Sequence, residues 1–306
     1  MTLSLPRKYR PKELTEIIGN KSLIESLETI LSRDDGIPSS FLLYGPSGCG
    51  KTTLARIIAK ELNANEKDIK QLNISNTRGI DAARSIIEMC KFKPLGGSKK
   101  VIVLNEVHKG TNEFFNAMLE ILEEPPEQVH FILCTTEPEK LLKTIKTRCT
   151  EFRVSELTKN ESKELLTRTL EGEGVFDFPD RAIKAIIKVA EGCPREILKI
   201  LDTVIDIEDD ETLIAAIEKH IVNEAEIKEL CQALINKSGW KSVSAILKNL
   251  DEEPETIRRS VIGYMNATLL NTGNAKIALI MDCFTENYFN TGKAGLTLSC
   301  FYALNS

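Results

Sequence analysis

The sequence predicts an α/β domain built on a parallel β-sheet, followed by a region that is helical throughout. Three observations predict it. Through roughly the first two-thirds of the chain, short apolar runs alternate with amphipathic stretches, as βαβ units require. A glycine-rich turn at residues 45–52 sits directly between an apolar run and a helical pattern. From about Ser155 onward strand signals fade and apolar residues recur at helical spacing.

Taken in order, the apolar runs at residues 41–44, 71–75, 101–104, 129–135 and 151–154 read as five buried strands. Helical patterns fill the gaps at residues 52–62, 81–90 and 111–123. Asp81 can cap the second, and Thr111 lies at the start of the third. In such a sheet a ligand sits at the carboxyl ends of the strands. Residues 161–170, 180–191 and 195–205 read as three short helices, and an acidic cluster at residues 206–211 separates them from a further helical region.

The turn Gly45-Pro46-Ser47-Gly48-Cys49-Gly50-Lys51-Thr52 fits the G-x-x-x-x-G-K-[ST] pattern in the strand-to-helix context the pattern needs. Glycines let backbone N–H groups converge on phosphates, and the helix N-terminus adds a favourable dipole. Lys51 supplies a charge for the β and γ phosphates, and the Thr52 hydroxyl a ligand for Mg²⁺. ATP and Mg²⁺ are therefore the expected cofactors, with Thr53 next on the same helix. The strand at residues 101–104 runs into Asn105-Glu106-Val107-His108. In P-loop ATPases an Asp at this strand end helps hold Mg²⁺, and a following Glu can activate water. Glu106 suits that base role. Asn105 stands where the Asp is expected; its amide oxygen can still ligate Mg²⁺ but brings no charge, so slower turnover is expected.

A net charge of −5 disfavours extended nucleic-acid binding, which rests on neutralising phosphates, but does not exclude a local track of cations and backbone amides. The eight cysteines are scattered with no Cys-x-x-Cys pair, which argues against zinc and disulfide frameworks and for a reducing compartment, the cytoplasm. No window is apolar enough to span a membrane, and residues 1–10 lack a signal-peptide core.

Taken together, these residues resemble the clamp-loader branch of the AAA+ ATPases, the replication factor C small subunits and bacterial DnaX subunits. The likeness covers roughly residues 5–205. Lys8-Tyr9-Arg10-Pro11 and Glu16-Ile17-Ile18-Gly19 look like the family's N-terminal nucleotide-binding segment, which brings Tyr9, Arg10 and Ile18 to the cofactor. Gly45, Gly48, Cys49, Gly50, Lys51, Thr52 and Thr53 lie on its Walker A loop and the start of the following helix, and Asn105-Glu106-Val107-His108 resembles its Walker B box. Leu122-Glu123-Glu124-Pro125-Pro126 and Thr135-Thr136-Glu137-Pro138 are especially DnaX-like. By the resemblance, Thr136 is sensor 1 and Arg195 is sensor 2. Arg148, in Thr147-Arg148-Cys149, is an arginine finger for a neighbouring subunit's nucleotide.

What the resemblance implies is a AAA+ domain with a parallel five-stranded sheet (residues 1–155), a helical lid (156–208) and an all-helical collar (209–306). The subunit would act in a pentameric ring with other clamp-loader subunits, binding ATP to open a sliding clamp and place it on primer–template DNA. DNA backbone contacts are expected from Arg78 and Arg84 on one segment and Lys109, Gly110 and Thr111 on the next. Phe114, Phe115 and Met118 are conceivable clamp contacts, although their helical spacing favours core packing. Two departures stand out. DnaX subunits carry a four-cysteine zinc module between the two Walker motifs, where this chain has only Cys90. The short length also resembles a replication factor C small subunit, a mixture that a phage-encoded loader would fit. Alternatives are a weakly hydrolysing structural subunit of the same ring, or another AAA+ remodelling ATPase. Against an unfoldase, the second strand is followed by Ser75-Asn76-Thr77-Arg78-Gly79, which has no aromatic residue.

Overall fold

Five strands, β1 (Ser40–Tyr44), β2 (Ala64–Asn73), β3 (Lys99–Asn105), β4 (Val129–Thr135) and β5 (Thr150–Arg153), form one sheet in the order β2-β3-β4-β1-β5. Every pairing is parallel. The computed structural model describes residues 3–33, 35–250, 254–288 and 291–305, with the side chains of residues 218–225 outside the description. Strands β1, β3 and β4 are nearly continuous apolar runs because helices cover both faces of the sheet. Strand β2 differs from the sequence expectation. It starts at Ala64 and stops at Asn73, so Ile74 is buried in the following turn rather than in the strand. As an edge strand pairing only with β3, and with a register irregularity between Ala64 and Ile69, it needs no apolar run over its first half.

Eleven residues ahead of β1, Lys21–Leu31, form a helix that the sequence reading passed over. Helices α1 (Leu5–Lys8) and α2 (Lys21–Leu31) precede β1; α3 (Lys51–Glu61), α4 (Ile80–Cys90), α5 (Asn112–Glu123) and α6 (Lys143–Lys146) link the strands. On one face Leu27 of α2 with Leu54, Ile57 and Ile58 of α3 packs against Phe41, Leu43, Val101 and Val103. On the other, Ile86 of α4 with Phe114, Phe115 and Met118 of α5 packs against Leu42, Ile102, Leu104 and Phe131. The alternation of strand residues between the two clusters is the period of two that a sheet imposes. Phe114, Phe115 and Met118 are each 3% exposed or less, so they are core and not a partner surface. Burial of such a side chain contributes roughly 1.5–3 kcal/mol.

Helices α7 (Lys159–Glu173), α8 (Asp180–Ala190) and α9 (Pro194–Val204) follow the sheet. A capping box of Thr158 and Glu161 opens α7. Residues Met1–Glu208 form one compact unit and Asp209–Ser306 a second. The second comprises α10 (Asp210–Ile235), α11 (Trp240–Asn249), α12 (Pro254–Thr272), α13 (Ala275–Asp282) and α14 (Gly292–Asn305). It has its own apolar core, including Leu234, Val243, Val261, Met265 and Phe284. Asp209 caps α10 by accepting the Thr212 N–H at 2.8 Å, so part of the acidic cluster is a helix start. Among the described residues no helix is long and apolar enough to cross a membrane.

Candidate nucleotide-binding site

The carboxyl ends of β1, β3 and β4 open onto a cleft of about 560 Å³. The turn after β1 shapes its floor. Gly45 leaves the strand at φ +146°, where a Cβ would overlap the Val154 carbonyl oxygen, so only glycine fits. Gly48 and Gly50 also lie at positive φ, and Gly50 caps α3. Lys51, the first residue of α3, is only 8% exposed. Its ammonium donates to the carbonyl oxygens of Gly45 (2.8 Å) and Pro46 (2.6 Å) and, among the described residues, has no carboxylate partner. Burial pushes its pKa down from the ordinary lysine value.

A second group of cations faces the same cleft. Arg10, just after α1, and Arg195, in the first turn of α9, both line it. Burial lowers the Arg10 pKa, and repulsion from Arg56, Arg195 and Arg7 lowers it further. A buried ammonium and crowded guanidiniums facing one cleft form a site that fits a polyphosphate. Tyr9, Ile18, Cys49, Thr52 and Thr53 line the cleft too, with Leu23 and Leu198 adding apolar surface. Burial, reinforced by a hydrogen bond to Glu173, holds the Tyr9 phenol up at about 12.

At the end of β3 the Asn105 side-chain oxygen accepts the Thr52 hydroxyl at 2.9 Å. The strand end and the helix start therefore present two oxygens where a Mg²⁺ ion fits. Glu106 adopts a left-handed backbone, φ +51°, unusual for a residue with a Cβ, and it lines the cleft half-exposed. Behind it, the buried His108 ring joins the Thr135 hydroxyl (Nδ1, 3.0 Å) and the Glu137 carboxylate (Nε2, 2.9 Å), with Glu106 Oε2 at 3.6 Å. Burial lowers the His108 pKa, opposed by the two carboxylates. A neutral ring donating Nε2–H to Glu137 and accepting the Thr135 hydroxyl satisfies every partner.

Not every singled-out residue meets the cleft. Thr136 is half-buried just after β4 and is absent from the cleft lining, while the hydroxyl bonded into the network belongs to Thr135, which sequence reasoning did not select. Arg148 also lies outside the cleft of its own chain. Its guanidinium binds the Glu123 carboxylate (Nε, 3.0 Å) and the Thr144 carbonyl (2.8 Å). Arg78 and Thr111 come together through the Thr111 N–H and the Arg78 carbonyl at 2.9 Å. Arg84 pairs with Asp81 at 3.2 Å, Lys109 is 4.0 Å from Glu137, and Gly110 packs against the Phe114 ring.

Two family models match parts of the chain: "DNA polymerase III, delta subunit" over residues 63–158 and "Rad17 P-loop domain" over residues 5–87. DNA polymerase III subunit tau/gamma of Haemophilus influenzae is 35% identical over 222 residues, covering 66% of this chain and 32% of that protein. DNA polymerase III subunit tau of Escherichia coli is 30% identical over 265 residues, 79% of this chain and 41% of that one. The chain thus spans about a third to two-fifths of the length of these curated relatives. Among solved structures, the Thermotoga maritima RuvB Holliday junction branch migration motor superposes with a TM-score of 0.58 at 22% identity, over 74% of this chain and 79% of that one. That last likeness carries the fold alone. In sequence the chain is a P-loop protein related to the tau and gamma subunits of DNA polymerase III, and its motifs resemble those of the DnaX-like clamp-loader subunits.

Proposed function

We propose that this chain is an ATP-dependent clamp-loader subunit. In a pentameric ring with other such subunits it binds ATP with Mg²⁺, opens a sliding clamp and places it on primer–template DNA, work done in the cytoplasm. The observation that carries the reading is Lys51, a buried cation that contacts only carbonyl oxygens in a cleft crowded by Arg10 and Arg195.

Bound Mg²⁺–ATP supplies a γ-phosphoryl group whose transfer to water spreads negative charge over its oxygens. Lys51 and the loop amides between Gly45 and Thr52 hold that charge. The Thr52 hydroxyl and the Asn105 amide oxygen would hold the cation, which would offset charge on the phosphates, and the Glu106 carboxylate would take the proton of the attacking water. His108 holds the Thr135 hydroxyl and Glu137 behind Glu106. Thr136 is proposed to sense the γ-phosphate, Arg195 to close residues 156–208 over the nucleotide as a lid, and Arg148 to serve the adjacent subunit. Residues 209–306 form the collar that joins the ring. DNA phosphates run past Arg78 and Arg84 and past the turn at Lys109, Gly110 and Thr111. Phe92 and Leu95, 63% and 80% exposed, offer the clamp an apolar contact that the buried Phe114 cannot.

A second reading, a subunit that binds ATP but turns it over weakly, is favoured by one observation: Asn105 spends its oxygen on Thr52 and adds no charge. Turnover by the assembled complex with clamp and primed DNA, compared with Asn105→Asp, decides between them. A rise of roughly tenfold or more with Asp, about 1.4 kcal/mol off the barrier, makes Asn105 a brake. Equal rates that depend on clamp and DNA make it a working ligand. Rates indifferent to clamp in both forms would sink the clamp-loader reading.

A further inference from the structure

Two thiols meet at the phosphate loop, from segments far apart in sequence. Cys49 sits in the phosphate loop between Gly48 and Gly50 and is 6% exposed. Cys193 is half-buried and immediately precedes α9. Both sulfurs contact the same acceptor, the Ser47 carbonyl oxygen, at 3.8 Å for Cys49 and 3.6 Å for Cys193. A Cβ on Gly48 would overlap Cys193 Sγ, so the second thiol is pressed directly on the loop backbone. Cys49 and Cys193 are both free thiols here.

We propose that Cys49 and Cys193 are a modification site for thiol oxidants of the disulfide class, closing into a reversible disulfide that ties the phosphate loop to the start of α9. The bond itself stands on the geometry above; its effect on nucleotide exchange rests on the nucleotide reading. The chemistry balances with glutathione disulfide as the oxidant. The more exposed Cys193, as thiolate, attacks one sulfur of glutathione disulfide, breaking its S–S bond and releasing one glutathione thiolate. Cys49, as thiolate, then attacks the Cys193 sulfur of that mixed disulfide, forming the Cys49–Cys193 bond and releasing the second glutathione. The two protein thiols lose two protons and two electrons, and glutathione disulfide is reduced to two thiols. Burial pushes the Cys49 thiol up to about 11, which slows its attack in the second exchange.

The consequence follows from what the bond joins. Arg195 lies two residues beyond Cys193 and faces the cleft, and Cys49 lies two residues before Lys51. A covalent link at this point fixes the α9 start against the loop and removes the relative movement by which a nucleotide enters and leaves.

The chain is loaded with a fluorescent ATP analogue, treated with glutathione disulfide and digested without reductant for peptide mapping. The expected result is a linked peptide pair containing Cys49 and Cys193, analogue release slowed about tenfold or more, and full recovery with dithiothreitol. Cys193→Ser, whose hydroxyl can still donate to the Ser47 carbonyl, is expected to release analogue normally and to show neither crosslink nor slowing. Absence of the Cys49–Cys193 peptide, or a crosslinked chain that releases analogue at the reduced rate, overturns the inference. A reduced chain that binds no analogue would instead overturn the nucleotide reading, and the peptide map would still decide the thiol pair.

Discussion

Gly45 shows how closely the phosphate loop is fitted to its neighbours. At φ +146°, with the Val154 carbonyl oxygen occupying the space of a side chain, substitution brings both backbone strain and a steric overlap. Strain of this kind costs of order 1–3 kcal/mol before the overlap is counted. Gly45→Ala is therefore expected to lower the thermal unfolding midpoint by roughly 5 °C or more, read by differential scanning calorimetry. An unchanged midpoint would mean that the loop relaxes away from Val154. Lys51, Thr52, Asn105 and Glu106 were legible as residues because one motif and one strand end select them by type and spacing. Thr135 was not. Successive strand residues point to opposite faces, so a shift of one position decides whether Thr135 or Thr136 meets His108, and only strand register fixes it.

Elements in this chain are tied to one another by buried carboxylates. Asp68 on β2 accepts the backbone N–H groups of Leu95 (2.6 Å), Gly96 (2.9 Å) and Gly97 (2.9 Å). Lys100 on β3 donates to the carbonyls of Met89 and Phe92. Together they hold the connection between α4 and β3. In the second unit Glu255, at the start of α12, accepts Arg258 (2.7 and 2.9 Å), Arg259 (3.1 Å) and the Tyr288 N–H (3.0 Å). Hydrogen bonding to Arg258 dominates, and it holds the Glu255 carboxyl down at about 2, below its ordinary 4.5. A depressed carboxyl pKa stabilises the fold fully above 4.5, and that contribution is lost as pH falls toward about 2. Glu255→Gln is expected to destabilise the chain by about 3 kcal/mol at neutral pH and to flatten its acid unfolding curve in that window. Denaturant melts at pH 7 and pH 3 check both, and equal loss at the two pH values would refute the ionic role.

At the scale of the molecule, the cleft over the glycine-rich loop is lined without Arg148. Arg148 is tied to Glu123 and Thr144 within its own subunit. If it completes a neighbour's site, Arg148→Ala leaves the ATP affinity of the isolated chain unchanged and lowers turnover of the assembled ring by about 10³. Weaker binding by the isolated chain would place the residue in its own site instead. Fold class was legible at this scale because alternating apolar runs have few parallel-sheet solutions. The helix α2 was not legible: its buried Leu23 and Leu27 are core only because the sheet face they cover is assembled from strands far along the chain.

Sequence by itself determined the parallel α/β class, the phosphate loop and the Asn105–Glu106 strand end, because each depends on local period or on residue types at fixed spacing. Only the tertiary structure decided that Phe114, Phe115 and Met118 are core, that Thr135 joins His108, and that Cys49 meets Cys193 over the phosphate loop. Those outcomes depend on which distant segments the sheet order brings together, and spacing along one chain carries no such information.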